Sequence, residues 1–134
     1  MESGDECWPD ILLIEDSPSQ ALQLRLLLEQ AGYRVVVVAD GAAGWRMACD
    51  RLPKLILLDV ELPTLNGFQI LLRLKRSRAT ATIPVIMLTN SEHISQVERA
   101  LDLGADDYLF KDDAVHQLDA VVAQLLHPTA PHEP

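Results

Sequence analysis

The amino-acid sequence predicts an α/β fold in which a five-stranded parallel sheet is covered by helices on both faces. Three observations support this prediction. Short apolar runs that are typical of buried strands recur five times along the 134 residues. Segments with helix signals separate these runs, and such alternation gives a parallel sheet with right-handed crossovers. Hydrophobic residues make up 49% of the chain, which is enough for one domain with a core of its own.

Five apolar runs are the predicted strands. Ile11–Ile14 and Leu55–Leu58 are continuously apolar, which is typical of strands buried on both faces of a sheet. Val35–Val38 is entirely β-branched, which favours a strand. Ile83–Leu88 has a proline only near its start, where a strand tolerates it. Tyr108–Phe110 is a short fifth run, so the sequence supplies all the strands of one sheet.

Helix signals lie between the strands. Ser17 and Pro18 suit the N-cap and the first position of a helix, and Gln20 is expected to complete a capping box. This first helix is expected to end at Gly32, because glycine favours the position just after a helix. The later helices are predicted to begin at Asp40, after Gly67, at Thr89 to Ser91, and at Asp112 or Asp113.

Composition limits the classes of function. The chain has 20 acidic and 11 basic residues and a formal net charge of −9. This charge disfavours direct binding to nucleic acids or anionic membranes, which need a basic surface. Cys7 and Cys49 form no CxxC motif and are expected to be ordinary thiols, as in the cytoplasm. We expect a flexible leader over 1–9, one domain over 10–127, and a disordered tail or linker stub over 128–134.

Polar residues follow four of the predicted strands, namely Glu15 and Asp16, Asp59, Thr89 and Lys111. The strand order 2-1-3-4-5, which is known for doubly wound sheets, makes strands one and three neighbours and lets these residues converge. Two unit charges about 4 Å apart repel each other by roughly 4 kcal/mol at a dielectric of 20. Lys111 offsets part of that repulsion, and a hard cation such as Mg²⁺ offsets more. The cluster therefore suits Asp59 as a nucleophile in phosphoryl transfer, which depends mainly on positioning and charge neutralisation.

These motifs resemble the receiver domain of bacterial two-component response regulators over roughly residues 9–127. The shared pattern is an acidic pair after strand one, Asp after strand three, Thr or Ser after strand four, and Lys after strand five. Asp59, Pro63 and Gly67 also match the D-x-x-x-P-x-x-x-G segment of that family. The resemblance implies the flavodoxin-like receiver fold with the order 2-1-3-4-5. It also implies a phosphorelay in which a histidine kinase or phosphotransfer protein supplies the phosphoryl group.

The resemblance assigns a role to each residue of the site. Asp59 is the expected phosphoacceptor. Asp16, Asp59 and the backbone carbonyl of Glu61 are expected to bind Mg²⁺ or Mn²⁺ directly, and Glu15 through water. The chain is expected to act on itself only, by self-catalysed phosphorylation and dephosphorylation, and is not otherwise an enzyme.

The same resemblance implies a conformational switch. Thr89 and Lys111 are expected to contact the phosphoryl oxygens, and Tyr108 matches the switch aromatic residue. Two residues depart from the family's pattern. Asp112 stands where the family usually has Pro, and Asn90 stands where it usually has Ala or Gly. With Glu61 and Ser91, which flank the site, these departures bear on the rate of reaction and on switching more than on the identity of the domain.

A face formed by helix four, strand five and helix five is the expected output surface. Its acidic residues are Glu92, Glu98, Asp102, Asp106, Asp107, Asp112, Asp113 and Asp119. Apart from Lys111, Arg99 is its only fixed positive charge. Like charges would meet if two such faces paired, so we expect a monomer that signals through another protein.

Four other hypotheses compete with the phosphoacceptor domain. The chain could be a pseudo-receiver that binds partners without phosphorylation, or the receiver part of a longer regulator or hybrid kinase. An Asp-nucleophile phosphatase would want a second Asp shortly after Asp59, which Glu61 matches only loosely. A flavodoxin would want a phosphate-binding loop after strand one, where Glu15 and Asp16 repel phosphate in the absence of a metal.

Overall fold

The computed structural model describes residues 9–62, 65–90 and 94–127. Its strands are β1 (Ile11–Ile14), β2 (Val35–Val38), β3 (Leu55–Asp59), β4 (Val85–Thr89) and β5 (Asp107–Phe110). Its helices are α1 (Pro18–Gln30), α2 (Gly41–Arg51), α3 (Gly67–Arg76), α4 (Ile94–Asp102) and α5 (Lys111–Leu126). The five strands form one parallel sheet in the order β2-β1-β3-β4-β5. The predicted fold class, a flavodoxin-like receiver fold, is confirmed.

Two apolar clusters cover the two faces of the sheet. Successive strand residues point to opposite faces, so Leu12 and Ile14 lie in one cluster and Ile11 and Leu13 lie in the other. The first cluster includes buried residues of α2, α3 and α4, and the second includes those of α1 and α5. The central strands β1, β3 and β4 are fully buried, as the continuous apolar runs predicted.

The start of α1 differs from the predicted capping box. Ser17 is the N-cap, and its hydroxyl accepts a hydrogen bond from the Gln20 backbone amide at 3.4 Å. The Gln20 side chain, however, accepts a hydrogen bond from Lys111, and the Ser17 backbone amide donates to Glu15 instead. A carboxylate is a stronger acceptor for an amide than a neutral side chain. The capping box was therefore a wrong prediction, and the Gln20 side chain belongs to the site.

The start of α5 was also predicted wrongly. The helix begins at Lys111, its N-cap is Phe110, and no side chain caps it. Asp112 and Asp113 lie in the first turn, where their charges interact favourably with the helix dipole. β4 begins at Val85, two residues later than predicted.

Some sequence predictions concern residues outside the described ranges. These residues are Cys7, Pro63, Ser91, Glu92, most of the predicted leader and the tail from 128 to 134. Cys49 is a partly buried free thiol, and burial raises its pKa. Among the described helices, none has the length and apolar character needed to cross a bilayer.

Candidate functional site

Three carboxylates meet at the carboxyl end of the central strands. Glu15 directly follows β1, and Asp16 comes next; Asp59 is the last residue of β3. Because β1 and β3 are parallel neighbours, both strands end at the same edge. Oxygens of Glu15, Asp16 and Asp59 all lie within 4.8 Å of one another. Glu15 and Asp59 are buried and Asp16 is exposed, so the cluster opens to solvent on one side.

Lys111 joins two of these carboxylates. Its Nζ lies 2.9 Å from Oε1 of Glu15 and 3.0 Å from Oδ2 of Asp59. It also donates a hydrogen bond to Oε1 of Gln20 at 2.9 Å. Burial lowers the pKa of Lys111, but the hydrogen bonds to Glu15 and Asp59 outweigh burial and leave it raised. The ammonium group therefore stays charged beside the carboxylate that it would assist.

Asp59 is a buried carboxyl group whose pKa is strongly raised. Burial raises its pKa to about 6, and the charge of Glu15 adds to the rise. The Glu61 amide, which donates to Oδ1 of Asp59 at 3.0 Å, and the Lys111 ammonium oppose this effect. A buried carboxylate that one cation only partly compensates has a strong electrostatic preference for further positive charge.

Gly67 lets α3 begin against the backbone of Asp59. A Cβ atom at Gly67 would lie 2.3 Å from the carbonyl oxygen of Asp59 and 2.8 Å from the Cα of Val60. The Gly67 amide donates to the Val60 carbonyl at 2.7 Å, which fixes this close approach. The glycine of the D-x-x-x-P-x-x-x-G segment therefore has a physical reason, since any larger residue would displace the segment that presents Asp59.

A cleft of about 450 Å³ lies over the carboxylates. It is lined by Glu15, Asp16, Ser17, Gln20, Asp59, Glu61, Leu62, Asn90 and Lys111. All of the predicted metal and phosphoacceptor residues are among them. Asn90, which stands where the receiver family usually has Ala or Gly, lines the same cleft as Asp59.

Thr89 and Tyr108 form a separate pair beside the cleft. Thr89 ends β4 and is fully buried. Tyr108 pairs with Met87, which points to the same face of β4 as Thr89, so the two side chains are diagonal neighbours. The Tyr108 hydroxyl is buried; burial raises its pKa, and the Thr89 side chain lowers it. Tyr108 thus lies inward beside Thr89, and its role as a switch stays a prediction.

The residues present fit a divalent cation. The donor set at the cluster consists of carboxylate oxygens, and one of the three carboxylates faces solvent. Hard cations such as Mg²⁺ prefer oxygen ligands and keep several waters, which an open site allows. A bound Mg²⁺ would also reduce the repulsion between the carboxylates.

Two polar residues of structural or functional weight were not predicted from the sequence. Gln20 was assigned only to a helix cap. Asp10, at the opposite edge of the sheet, accepts hydrogen bonds from the Arg34 backbone amide at 2.8 Å and from its guanidinium, and it pairs with Lys54. Asp10, Arg34 and Lys54 directly precede β1, β2 and β3, respectively. Opposite charges just before adjacent strands were the signal that could have revealed this cluster.

Comparison with known proteins identifies the family. Residues 11–123 match the response regulator receiver domain family. The transcriptional regulator RpaA of Synechocystis sp. is 42% identical over 121 residues, which cover 90% of this chain and 50% of that protein. The chain spans about half the length of the first curated relatives that it matches.

Solved structures agree with this family. A putative response regulator from Chloroflexus aurantiacus superposes with a TM-score of 0.82 at 32% identity, covering 87% of this chain and 95% of that one. The receiver domain of the sensor histidine kinase PA1611 from Pseudomonas aeruginosa, whose structure holds a magnesium ion in the active-site cleft, has a TM-score of 0.80 at 31% identity. It covers 87% of this chain and 95% of that one. The chain therefore belongs to the receiver domain family of two-component response regulators.

Proposed function

We propose that this domain accepts a phosphoryl group on Asp59 from a histidine kinase or phosphotransfer protein. One observation supports this role above the others: the buried Asp59 carboxylate lies 3.0 Å from the Lys111 ammonium, within an oxygen cluster suited to a cation. In the transfer, a carboxylate oxygen of Asp59 forms a bond to phosphorus. The phosphorus–nitrogen bond of the donor phosphohistidine breaks, and its electron pair stays on the imidazole nitrogen.

Each residue of the cleft has a part in this proposal. Lys111 neutralises charge on the phosphoryl oxygens as they approach Asp59. Thr89 supplies a hydroxyl to another phosphoryl oxygen when the β4 end rearranges. Asp16, Asp59 and the carbonyl of Glu61 would hold Mg²⁺ or Mn²⁺, with Glu15 acting through water. The cation supplies further neutralisation of negative charge when it is bound.

A direct test uses acetyl phosphate with Mg²⁺ and intact-protein mass spectrometry. Wild type should gain one phosphoryl group, and Asp59→Asn should gain none. The Asp10→Asn variant is the matched control, because this buried aspartate lies at the opposite edge of the sheet and should leave labelling intact. Labelling of Asp59→Asn would place the acceptor elsewhere, and an unlabelled wild type would favour the pseudo-receiver hypothesis.

The output face is the second part of the proposal. Exposed acidic residues of α4 and α5 are Glu98, Asp102, Asp112, Asp113 and Asp119. The Arg99 guanidinium lies 4.7 Å from the centre of the Phe68 ring, and Lys111 is held inside the cleft. Both cations of this face therefore have intramolecular partners, and a second copy would present mainly like charges. A protein partner with a basic surface fits the face better.

The oligomeric state tests this part. We expect a cytoplasmic protein that is monomeric at micromolar concentration, with or without beryllofluoride, and makes no direct contact with nucleic acid or membrane. Light scattering of both forms measures this directly. A dimer that forms only with beryllofluoride and is lost when Asp102 and Asp119 are both replaced by Asn would contradict the proposal.

A longer parent protein is a second possibility that one observation favours. The chain spans about half of RpaA, which is described as a DNA-binding transcriptional regulator. In that case the domain would regulate a following segment, and contact with DNA would belong to that segment. Sequencing the transcript past the codon for Pro134 distinguishes the two possibilities, because a reading frame that continues would show a longer parent protein.

A further inference from the structure

We infer that Gln20 is a positioning residue that keeps the Lys111 ammonium directed at Asp59. This inference rests on the proposed function, because it concerns how the same site is prepared for phosphoryl transfer. It starts from the three acceptors around the ammonium group. An ammonium group has three protons to donate, and Lys111 Nζ contacts Glu15, Asp59 and Gln20 at 2.9, 3.0 and 2.9 Å.

The three acceptors differ in how the reaction changes them. Glu15 and Asp59 belong to the carboxylate cluster, so a cation competes with Lys111 for their oxygens. Asp59 is also the group that would be phosphorylated. Gln20 is neutral and lies outside that cluster, so neither a cation at the cluster nor a phosphoryl group on Asp59 takes its amide oxygen from Lys111 directly. It holds the ammonium group without adding negative charge next to Asp59.

The position of Gln20 gives the hydrogen bond a second consequence. A second cavity, of about 210 Å³, lies between α1 and α5 and is lined by Gln20, Gln23, Leu24, Lys111, Asp112 and Val115. Gln20 and Lys111 line both this cavity and the cleft over Asp59, so they form the wall between them. Among the residues that the structure describes, Asp112 is the one acidic residue that lines the second cavity, and it does not line the cleft. Gln20 therefore keeps Lys111 from turning away from Asp59 toward Asp112.

Replacing Gln20 with Met tests the inference, because Met is similar in length and favours helices but accepts no comparable hydrogen bond. Gln23→Met is the matched control on the same helix, since Gln23 lines the second cavity and is not among the three acceptors of Lys111. A double variant, Gln20→Met with Asp112→Asn, removes the competing carboxylate as well. Gln20→Ala replaces Gln20→Met if the latter melts at a much lower temperature than wild type.

The first measurement needs neither metal nor phosphoryl donor. The NMR signal of the Lys111 ammonium group is observable when its hydrogen bonds slow proton exchange with water. We expect this signal in wild type and Gln23→Met and its loss in Gln20→Met. An unchanged signal in Gln20→Met would overturn the inference, and this outcome is independent of whether Asp59 is ever phosphorylated.

The second measurement is the rate constant for phosphorylation by phosphoramidate at saturating Mg²⁺. Hydrogen bonds to charged groups make large contributions, so we expect Gln20→Met to slow the reaction roughly tenfold. Gln23→Met should match wild type, and the double variant should recover most of the lost rate. Equal rates in Gln20→Met and Gln23→Met, or a double variant as slow as Gln20→Met, would refute the positioning role. An unreactive wild type would instead refute the proposed function.

Discussion

Two buried aspartates lie at opposite ends of the strands of the same sheet, and their pKa values are shifted in opposite directions. Asp10 precedes β1 and Asp59 ends β3, and both are nearly inaccessible to solvent. Burial raises the pKa of Asp10, but hydrogen bonds from Arg34 and the charges of Arg34 and Lys54 outweigh it and leave the pKa lowered. Burial raises the pKa of Asp59 to about 6 despite the Glu61 amide and Lys111.

The difference between them lies in the balance of charge at each edge. Asp10 is a single carboxylate with two cations and a backbone amide, so its negative charge is satisfied by the fold itself. Asp59 shares one lysine with Glu15, and two carboxylates remain undercompensated. The paired charges around Asp10 stabilise the fold, whereas the uncompensated charges around Asp59 destabilise it. The deficit of positive charge at the Asp59 edge favours the binding of a cation there, and a bound cation would in turn favour the approach of an anionic phosphoryl donor.

The largest effect that we predict is a loss of stability on replacing Asp10. Asp10→Ala leaves the Arg34 amide without its acceptor and removes the partner of two cations, so it should lower the free energy of unfolding by about 3 kcal/mol. Asp10→Asn keeps an acceptor for the amide and should lose less. Urea unfolding in EDTA measures both, and a loss below about 1 kcal/mol for Asp10→Ala would remove the contrast between the two edges.

Replacing Asp59 should have the opposite sign. Asp59→Asn removes a charge that repels Glu15, so the metal-free protein should gain about 2 kcal/mol at pH 7.5. Millimolar Mg²⁺ should then stabilise wild type by mass action and the variant much less. The same urea titrations with and without Mg²⁺ show this. A variant less stable than wild type in EDTA would mean that Lys111 fully compensates Asp59.

The pH dependence separates the two aspartates further. The folded-state pKa of Asp59 lies above the ordinary 3.8, at about 6. Folded protein therefore binds the proton more tightly, and this contribution to stability is lost as pH rises through 6. The pKa of Asp10 lies below 3.8, so its contribution is present at higher pH and is lost only as pH falls below that value.

Unfolding curves from pH 4 to 8 in EDTA test this separation. The stability advantage of Asp59→Asn over wild type should shrink by most of its value, about 2 kcal/mol, as pH falls from 7 to 4. The disadvantage of Asp10→Asn should stay nearly constant over that range. Parallel pH profiles for wild type and Asp59→Asn would show that another group is responsible for the dependence.

The sequence was sufficient for the strands and for the edge at which the site forms. Ile11–Ile14 and Leu55–Leu58 are apolar without interruption, and Glu15 and Asp59 converge once the order 2-1-3-4-5, known for doubly wound sheets, makes these two strands neighbours. Lys111 followed from the same reasoning for β5. The fold is therefore predictable where continuous apolar runs mark strands that are buried on both faces and where ligands bind beyond the carboxyl ends of such strands.

The residues that were missed share a different physical origin. The sequence pattern around Gln20 suits a capping box, but its side chain instead accepts a hydrogen bond from Lys111 at the start of α5, which only the packing of α1 against α5 brings within reach. Asp10 becomes informative only when the register places Arg34 and Lys54 on either side of it. In both cases the partners are far apart in sequence, so no local pattern reveals the contact.

The smallest predicted effect compares the two lysines. Lys54 Nζ lies 3.5 Å from Asp10, and half of its side chain is exposed, whereas the Lys111 side chain is only 8% exposed. Exposed ion pairs contribute little because water and salt screen them, so Lys54→Gln should change stability by less than about 0.5 kcal/mol. Lys111→Gln should change metal-free stability more, since it leaves Glu15 and Asp59 facing each other without a cation.

Unfolding at low and high salt distinguishes the two lysines. The small effect of Lys54→Gln should vanish at 1 M salt, whereas that of Lys111→Gln should persist, because buried pairs are screened much less. A larger effect for Lys54 than for Lys111 would mean that exposure does not decide the strength of these pairs.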